Sequence, residues 1–331
     1  MTTRRECMTG GAALLLLGGC RTMRAPDGNG AQVFPTVPHP SSLVAVVRPS
    51  TYPRLTDAVR DVIARAGGVG FIREGQTVLL KPAVNSARPY PATTAPDVLF
   101  AVAEVVREAG GVPVVADRTV FSKSTARTFH RLGLDAAARE ARVSCRALDH
   151  EDVVARSHPL ATHWRGGVVP IYRPVAEADH LINLCTPRTH RLGQFTMALK
   201  NWVGVVDASA RLGMHLPIGF LERLAEISLV VRPSLVVMDG RQGFVDGGPD
   251  SGDVATLDFL AAGADAVAID AVGLAHLRLA GANDTIQQGR VWDLPVLRRA
   301  GELQLGATGP QDLQLVGLDA VDEARLRAQL A

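Results

Sequence analysis

Cysteine is scarce in this chain of 331 residues: four in all, at positions 7, 20, 145 and 185. Cys7 and Cys20 fall in the N-terminal segment, so the body of the protein has Cys145 and Cys185 alone. Two thiols cannot ligate an iron-sulphur cluster or a Cys-rich zinc site unaided, and no iron-sulphur cluster is expected. Their pairing in an oxidising compartment depends on a separation the sequence leaves open; two inert core thiols is the simpler reading. Charge excess is also lacking. The formal net charge of +2 provides no basic footprint for nucleic acid. No apolar run approaches the roughly 20 residues that span a bilayer. G-x-S-x-G, Walker, H-E-x-x-H and strand-borne G-x-G-x-x-G motifs are missing, which removes support from serine-hydrolase, P-loop and ordinary dinucleotide readings. There is no solenoid-period repeat.

What is present is ordinary globular material, 47% hydrophobic and 21% charged. The N-terminus, TTRRECMTGGAALLLLGGC, joins Arg4 and Arg5 to a short apolar stretch ending in small residues and Cys20. It resembles a twin-arginine export signal that runs into a lipoprotein cleavage box, which implies lipidation at Cys20. The expected organisation is a signal peptide over 1–20, a Pro- and Gly-rich flexible tether over 21–41, and a folded domain over 42–331. The protein is then exported, periplasmic or otherwise extracytoplasmic, and held to a membrane by its lipid, with the twin-arginine machinery and the membrane as partners. That export route carries folded proteins, often with a cofactor already inserted, so a metal or nucleotide-derived cofactor of unknown identity is compatible with it.

From Ser42 onward, short Val- and Leu-rich runs (LVAVV, TVLLKP, VPVVAD) alternate with amphipathic segments that end at Gly67-Gly68 and Gly110-Gly111. RVSCRALD, VVPIYR, HLINLC, SLVVMD and LQLVG add strands. LPIGFLERLAEISLVV, DAVAIDAVGLAHLRLAG and VDEARLRAQL add helices, and a His-containing loop is expected from Asp149 to Gly167. This predicts an α/β fold, a mostly parallel β-sheet with flanking helices, as one unit or two α/β lobes.

Ligands of such sheets gather at the carboxyl ends of the strands. The residues there are polar: Lys81 with Asn85 close behind, Asp117, Arg188 and His190 after HLINLC, and Asp239 after SLVVM. Each alone has the dull alternative of a cap or a surface ion pair; together they point to a site. The stretch CTPRTHRLGQFTMALKNWVGVVD, residues 185–207, is read as a strand end, a turn and a helix from about Gly193. The free N–H groups of that helix, with Arg188, Arg191 and Lys200 nearby, suit an anion. A buried lysine needs a counterion, a ligand or a depressed pKa, unless Lys200 simply snorkels past Trp202. His190 is a candidate acid/base or metal ligand, and His215 a weaker metal candidate. His150, His158 and His163 match no metal spacing and read as solvated loop residues. The aspartates of DGRQGFVDGGPDSGD lack the EF-hand pattern; its glycines suit either a close approach to a ligand or a plain turn.

LLKPAVNSARPYPATTAPDVL, VPVVAD, INLCTPRTHRLGQFTMALKNWVGV and MDGRQGFVDGGPDSG, in this order, resemble the domain of unknown function 362 family over most of residues 42–280. The most specific part is R-T-H through A-L-K-N. The resemblance implies no assigned activity. The chain departs from the family pattern at Ala83, where an asparagine is usual, and at Arg188, where a lysine is usual; the second change keeps the charge but alters geometry and acid/base use. A looser similarity links His190, Lys200 and His215 with lactate racemase relatives, in which a lysine holds a nickel-pincer nucleotide and histidines serve as metal ligand and acid/base.

The expected function is an extracytoplasmic, lipid-anchored enzyme on a small anionic substrate, a carboxylate or phosphate. His190, Lys200 and Asp117 are the catalytic candidates, with Lys81, Asn85, Thr94, Arg188, Asn201 and Asp239 binding substrate or cofactor. The alternatives are a non-catalytic ligand-binding lipoprotein, a nickel-pincer-type racemase-like enzyme and a structural envelope protein with a decayed site.

Overall fold

The computed structural model describes residues 42–120, 123–214 and 218–331. The expected signal peptide, tether, Cys20 and His215 lie outside the described residues. The strands are β1 Ser42–Val47, β2 Thr77–Lys81, β3 Val112–Asp117, β4 Ser144–Ala147, β5 Val153–Ser157, β6 Val168–Tyr172, β7 His180–Cys185, β8 Arg188–His190, β9 Gln194–Thr196, β10 Leu235–Gly247, β11 Gly252–Gly263 and β12 Leu313–Val316.

Among the described residues the main sheet runs β12-β1-β11-β10-β7-β2-β3-β4, with the β8/β9 hairpin attached to β10. β1 and β12, and β10, β7, β2, β3 and β4 in succession, pair in parallel. β11 runs against its neighbours β1 and β10, and β9 against β8 in the attached hairpin. The fold is therefore α/β with a large, mostly parallel central sheet and flanking helices. Both faces are covered, because alternate side chains of each strand enter opposite layers. Val44 and Val46 pack with the helix Ala266–Leu279 on one face; Ala45 and Val47 pack with Leu55–Arg65 and Pro96–Glu108 on the other.

Glycine ends three of the crossover helices where the sequence placed it. Gly68 N–H reaches Ile63 O at 2.9 Å, Gly111 N–H reaches Val106 O at 3.0 Å, and Ala282 N–H reaches Leu277 O at 3.0 Å. Each spans six residues with a positive-φ glycine beforehand, at Gly67, Gly110 and Gly281. The long helix Ala266–Leu279 is capped by Asp265, which accepts from Val267 N, Ala268 N, Ala307 N and the Ser42 hydroxyl.

Three local expectations are corrected. Residues 194–196 are strand, and the helix is only Ala198–Asn201, followed by a 3-10 turn at Trp202–Val205. His190 Nδ1 accepts from Leu192 N and Gly193 N, and Gln194 takes φ +62°, so the chain reverses into a hairpin before a helix can start. Asp239 is not a strand end: β10 continues to Gly247 through a bulge between Gly240 and Gln242. The glycines beyond it let other protein atoms approach, since a Cβ at Gly240 would lie 2.1 Å from the Phe259 ring and one at Gly248 1.9 Å from Thr189 O. Lastly, the segment read as a His-containing loop holds β5, which pairs with β6 in a separate two-stranded sheet. His158 is buried there, and His163 pairs with the buried Glu226. Cys145 and Cys185 are both free thiols, and burial pushes Cys145 up to about 12 and Cys185 well above its ordinary value.

Replacing Asp265 by Ala removes a cap and strands three backbone N–H groups; it is expected to lower unfolding stability by about 2–4 kcal/mol in denaturant titrations.

Candidate functional site

The parallel register brings the ends of β2, β7 and β3 side by side: Lys81 pairs with Asn183, and Asp117 ends the neighbouring strand β3. Lys81 Nζ meets Asp117 Oδ1 at 2.9 Å, with both side chains 1% exposed. The ammonium also donates to Asn201 Oδ1 at 3.0 Å and Pro82 O at 2.6 Å, so its three hydrogens are all used. Asp117 accepts further from Val84 N and Arg118 N. Burial pulls Lys81 down and pushes Asp117 up, each against the charge of the other. The hydrogen bonds that each group makes favour its charged form against this desolvation. Gly204 closes over it: a Cβ there would sit 2.3 Å from Asp117 Oδ1 and 2.7 Å from Lys81 Nζ.

Asn201 ties the 185–207 stretch to this pair. Its amide donates to Asn183 Oδ1 at 2.7 Å, Lys81 O at 3.2 Å and Leu184 O at 3.3 Å, while Asn183 donates to Ala198 O at 2.9 Å. From the other side, Asp270 of the helix Ala266–Leu279 accepts from Ala198 N at 2.7 Å and Leu199 N at 3.1 Å. The helix start expected near Gly193 to hold an external anion lies instead at Ala198. An internal carboxylate has taken its N–H groups, so the short helix start is not an anion site.

The cationic chemistry lies next to it. Lys200 has no hydrogen-bond or ion-pair partner among the described residues, and its stem lies against Gly193, where a Cβ would be 2.9 Å from Lys200 Cε. The residue keeps some accessible area, yet its amine is largely stripped of water. Burial draws its pKa down to about 7, the Arg188 and Arg211 charges push the same way, and Asp250 opposes them. Arg188 is 3% exposed and donates to the carbonyls of Ala92 and Pro249. Its Nε has no acceptor and no carboxylate lies within ion-pair distance of it among the described residues; burial lowers it to about 10 against the charge of Asp250. Arg211, also buried, donates to the carbonyls of Val206, Thr119 and Gly204. Asp250 is half-buried and takes a hydrogen bond from Asn85 Nδ2 at 3.1 Å. His190 Nδ1 is an acceptor, which puts the proton of the neutral ring on Nε2.

The structure thus gathers Lys81, Asn85, Asp117, Arg188, His190, Lys200 and Asn201 at one edge of the sheet. Thr94 is buried at the same edge but spent on the backbone, donating to Leu184 O and accepting from Ala83 N. Asp239 is not brought in. It lies with Val237 and Leu260 on the opposite face, bound by Arg241 and the Tyr90 hydroxyl. Arg191 is exposed on the hairpin turn. Arg211, Gly204 and Asp250 were missed as members of the site. Asp250 was visible as a loop carboxylate; nothing local marked the other two. Among the described residues, no three His, Cys, Asp or Glu side chains converge to hold a metal ion, and no helix is long and apolar enough to cross a membrane.

Fold and site define an α/β protein with a buried cluster of cationic side chains, Lys81, Arg188, Lys200 and Arg211, at the carboxyl edge of its sheet. The chain belongs to the DUF362 family, a domain of unknown function, whose sequence profile matches residues 78–275. It is 31% identical over 247 residues to the thylakoid-associated protein sll1697 of Synechocystis sp., a match covering 69% of this chain and 72% of that protein. Among solved structures, the lactate racemase apoprotein from Thermoanaerobacterium thermosaccharolyticum aligns with a TM-score of 0.47 at 12% identity. That alignment covers 71% of this chain and 57% of the racemase chain.

Gly204→Ala is expected to force the Lys81–Asp117 pair apart and cost about 1–3 kcal/mol. Gly213→Ala, in a helix with open space around the added methyl, should be neutral or stabilise by up to about 1 kcal/mol. Paired thermal melts of the two variants check the contrast.

Proposed function

We propose that the protein is an enzyme acting on a small anionic substrate, a carboxylate or phosphate, exported and held to a membrane through a lipid on Cys20. One observation carries the anion: the Arg188 guanidinium is buried with an unused Nε and no carboxylate partner among the described residues, beside the unpartnered Lys200 amine. The half-buried Asp250 offsets only part of the cost of burying these two cations, and an incoming anion offsets more of it. Arg188 then binds the anion, and His190 presents a proton on Nε2. Lys200 exchanges a proton near neutrality, as a general base must. Lys81, Asp117 and Asn201 hold the platform. The printed name of the Synechocystis relative places that protein at a membrane, which agrees with an anchored protein here; the signal resemblance of residues 1–20 supplies the anchor.

A second reading shares the same residues. In a nickel-pincer-type enzyme, Lys200 would hold the nucleotide-derived group and His190 with His215 would serve it; the unpartnered amine next to the His190 hairpin favours a covalent attachment point. When bound, such a group would supply hydride chemistry. Intact mass and metal content of the purified protein separate the readings, since that one requires a stoichiometric adduct on Lys200. A non-catalytic binding lipoprotein would take up carboxylates tightly without turnover.

Calorimetric titration with lactate, malate and inorganic phosphate tests the anion. Arg188→Met is expected to weaken binding about 10- to 100-fold, the value of one charge-assisted contact. Lys200 carries its proton below about pH 7 and loses it above, so affinity should fall as pH rises through that value, and Lys200→Met should abolish the dependence. If no anion binds wild type, or if Lys200→Ala and His190→Ala leave binding unchanged, the proposal is wrong.

A further inference from the structure

Lysine is rare here: of the 35 Lys and Arg residues only Lys81, Lys123 and Lys200 are lysines. Wherever this chain needs a fixed positive charge, including the buried positions 188 and 211, it uses arginine. The three exceptions therefore invite separate explanations. Lys123 is exposed. Lys81 is a compact ammonium with three acceptors around it, a geometry that a planar guanidinium cannot meet in the same space. Lys200 has neither exposure as a full surface residue nor any acceptor. What lysine offers there and arginine does not is an amine that can give up its proton and become a nucleophile.

Its surroundings select the electrophile. Arg188 leaves a buried donor unused on one side, and among the described residues Asp250 is the carboxylate that acts on both the Lys200 amine and the Arg188 guanidinium. Gly193 leaves the stem room that any side chain would fill. A partner suited to this set has a carboxylate for Arg188 and an adjacent carbonyl carbon for the amine.

We propose that Lys200 forms an imine with a 2-oxo acid, the Arg188 guanidinium holding the carboxylate of that substrate. The nitrogen lone pair adds to the carbonyl carbon, and a proton moves from nitrogen to oxygen to give a carbinolamine. The carbon–oxygen bond then breaks, and oxygen leaves as water with both amine hydrogens. Protonation of the imine gives an iminium cation, which Asp250 stabilises. No oxidant, reductant or metal enters the balance. A lysine at about pH 7 is partly neutral, as this addition requires. The proposal rests on the anion-binding reading above and narrows its substrate class.

The test treats the full chain with pyruvate and borohydride, followed by intact mass and peptide mapping. The expected result is one reduced pyruvyl group on the peptide containing Lys200. Capture should rise about tenfold from about pH 6 to about pH 8 and be suppressed by excess lactate, which binds but has no carbonyl. Lys200→Gln should lose the adduct, and the lactate competition serves if that variant does not fold. Pyruvate binding without capture overturns the imine and leaves the anion site standing; failure of both pyruvate and lactate to bind overturns both. Equal capture on Lys123, or a group already attached to Lys200 in the purified protein, also overturns the imine.

Discussion

The buried ion pair between Lys81 and Asp117 is the interaction on which the rest of the site depends. It joins two neighbouring strand ends, and through Asn201 it fixes the end of the short helix that carries Lys200. Breaking one member of such a pair leaves a bare charge in the interior, at a cost of about 3–5 kcal/mol. The pair is therefore weak as a source of net stability and strong as a specification of geometry: each partner tolerates few alternative arrangements of the loops around it. Gly204 shows how tight the specification is, since even a methyl group there overlaps both charges.

A second clamp works from the far side. Asp270 takes the two N–H groups at the head of the short helix, and burial pushes its own pKa up to about 8. Held between Asn201 and Asp270, residues 198–201 cannot extend into a longer helix or slide along the sheet. This rigid seat is what allows a lysine to remain desolvated and unpartnered. On a mobile loop the amine would swing into water and recover its hydration.

The strands were legible because a parallel sheet covered on both faces demands unbroken apolar runs; TVLLK, VPVVAD and HLINLC each stop where a polar residue reaches the sheet edge. Glycine at the ends of the helices was legible for an equally local reason, the left-handed cap. The hairpin at residues 188–196 was not. FTMALKNWVGVV is apolar enough to serve either period, and the choice was made by Asp270, about seventy residues later in the chain, together with a side-chain bond from His190 to its own turn. Asp239 misled because Met-Asp-Gly looks like a strand stop, whereas a bulge at Gly240 lets the strand continue past Phe259. Asp250 meets Asn85 across 165 positions, and no local pattern encodes such a meeting.

His190 and Lys200 are placed for different tasks because their hydrogen bonds differ. His190 spends Nδ1 on two backbone N–H groups, which leaves the proton of the neutral ring on Nε2. Lys200 spends nothing. Its proton is opposed by lost hydration and by the Arg188 charge, and favoured only by Asp250. An arriving anion shifts that balance toward the ammonium, and a carbonyl carbon within reach shifts it toward the free amine. Under the reading proposed above, a ligand bearing both features, a carboxylate beside a carbonyl, would use Arg188 for the first and leave Lys200 to the second.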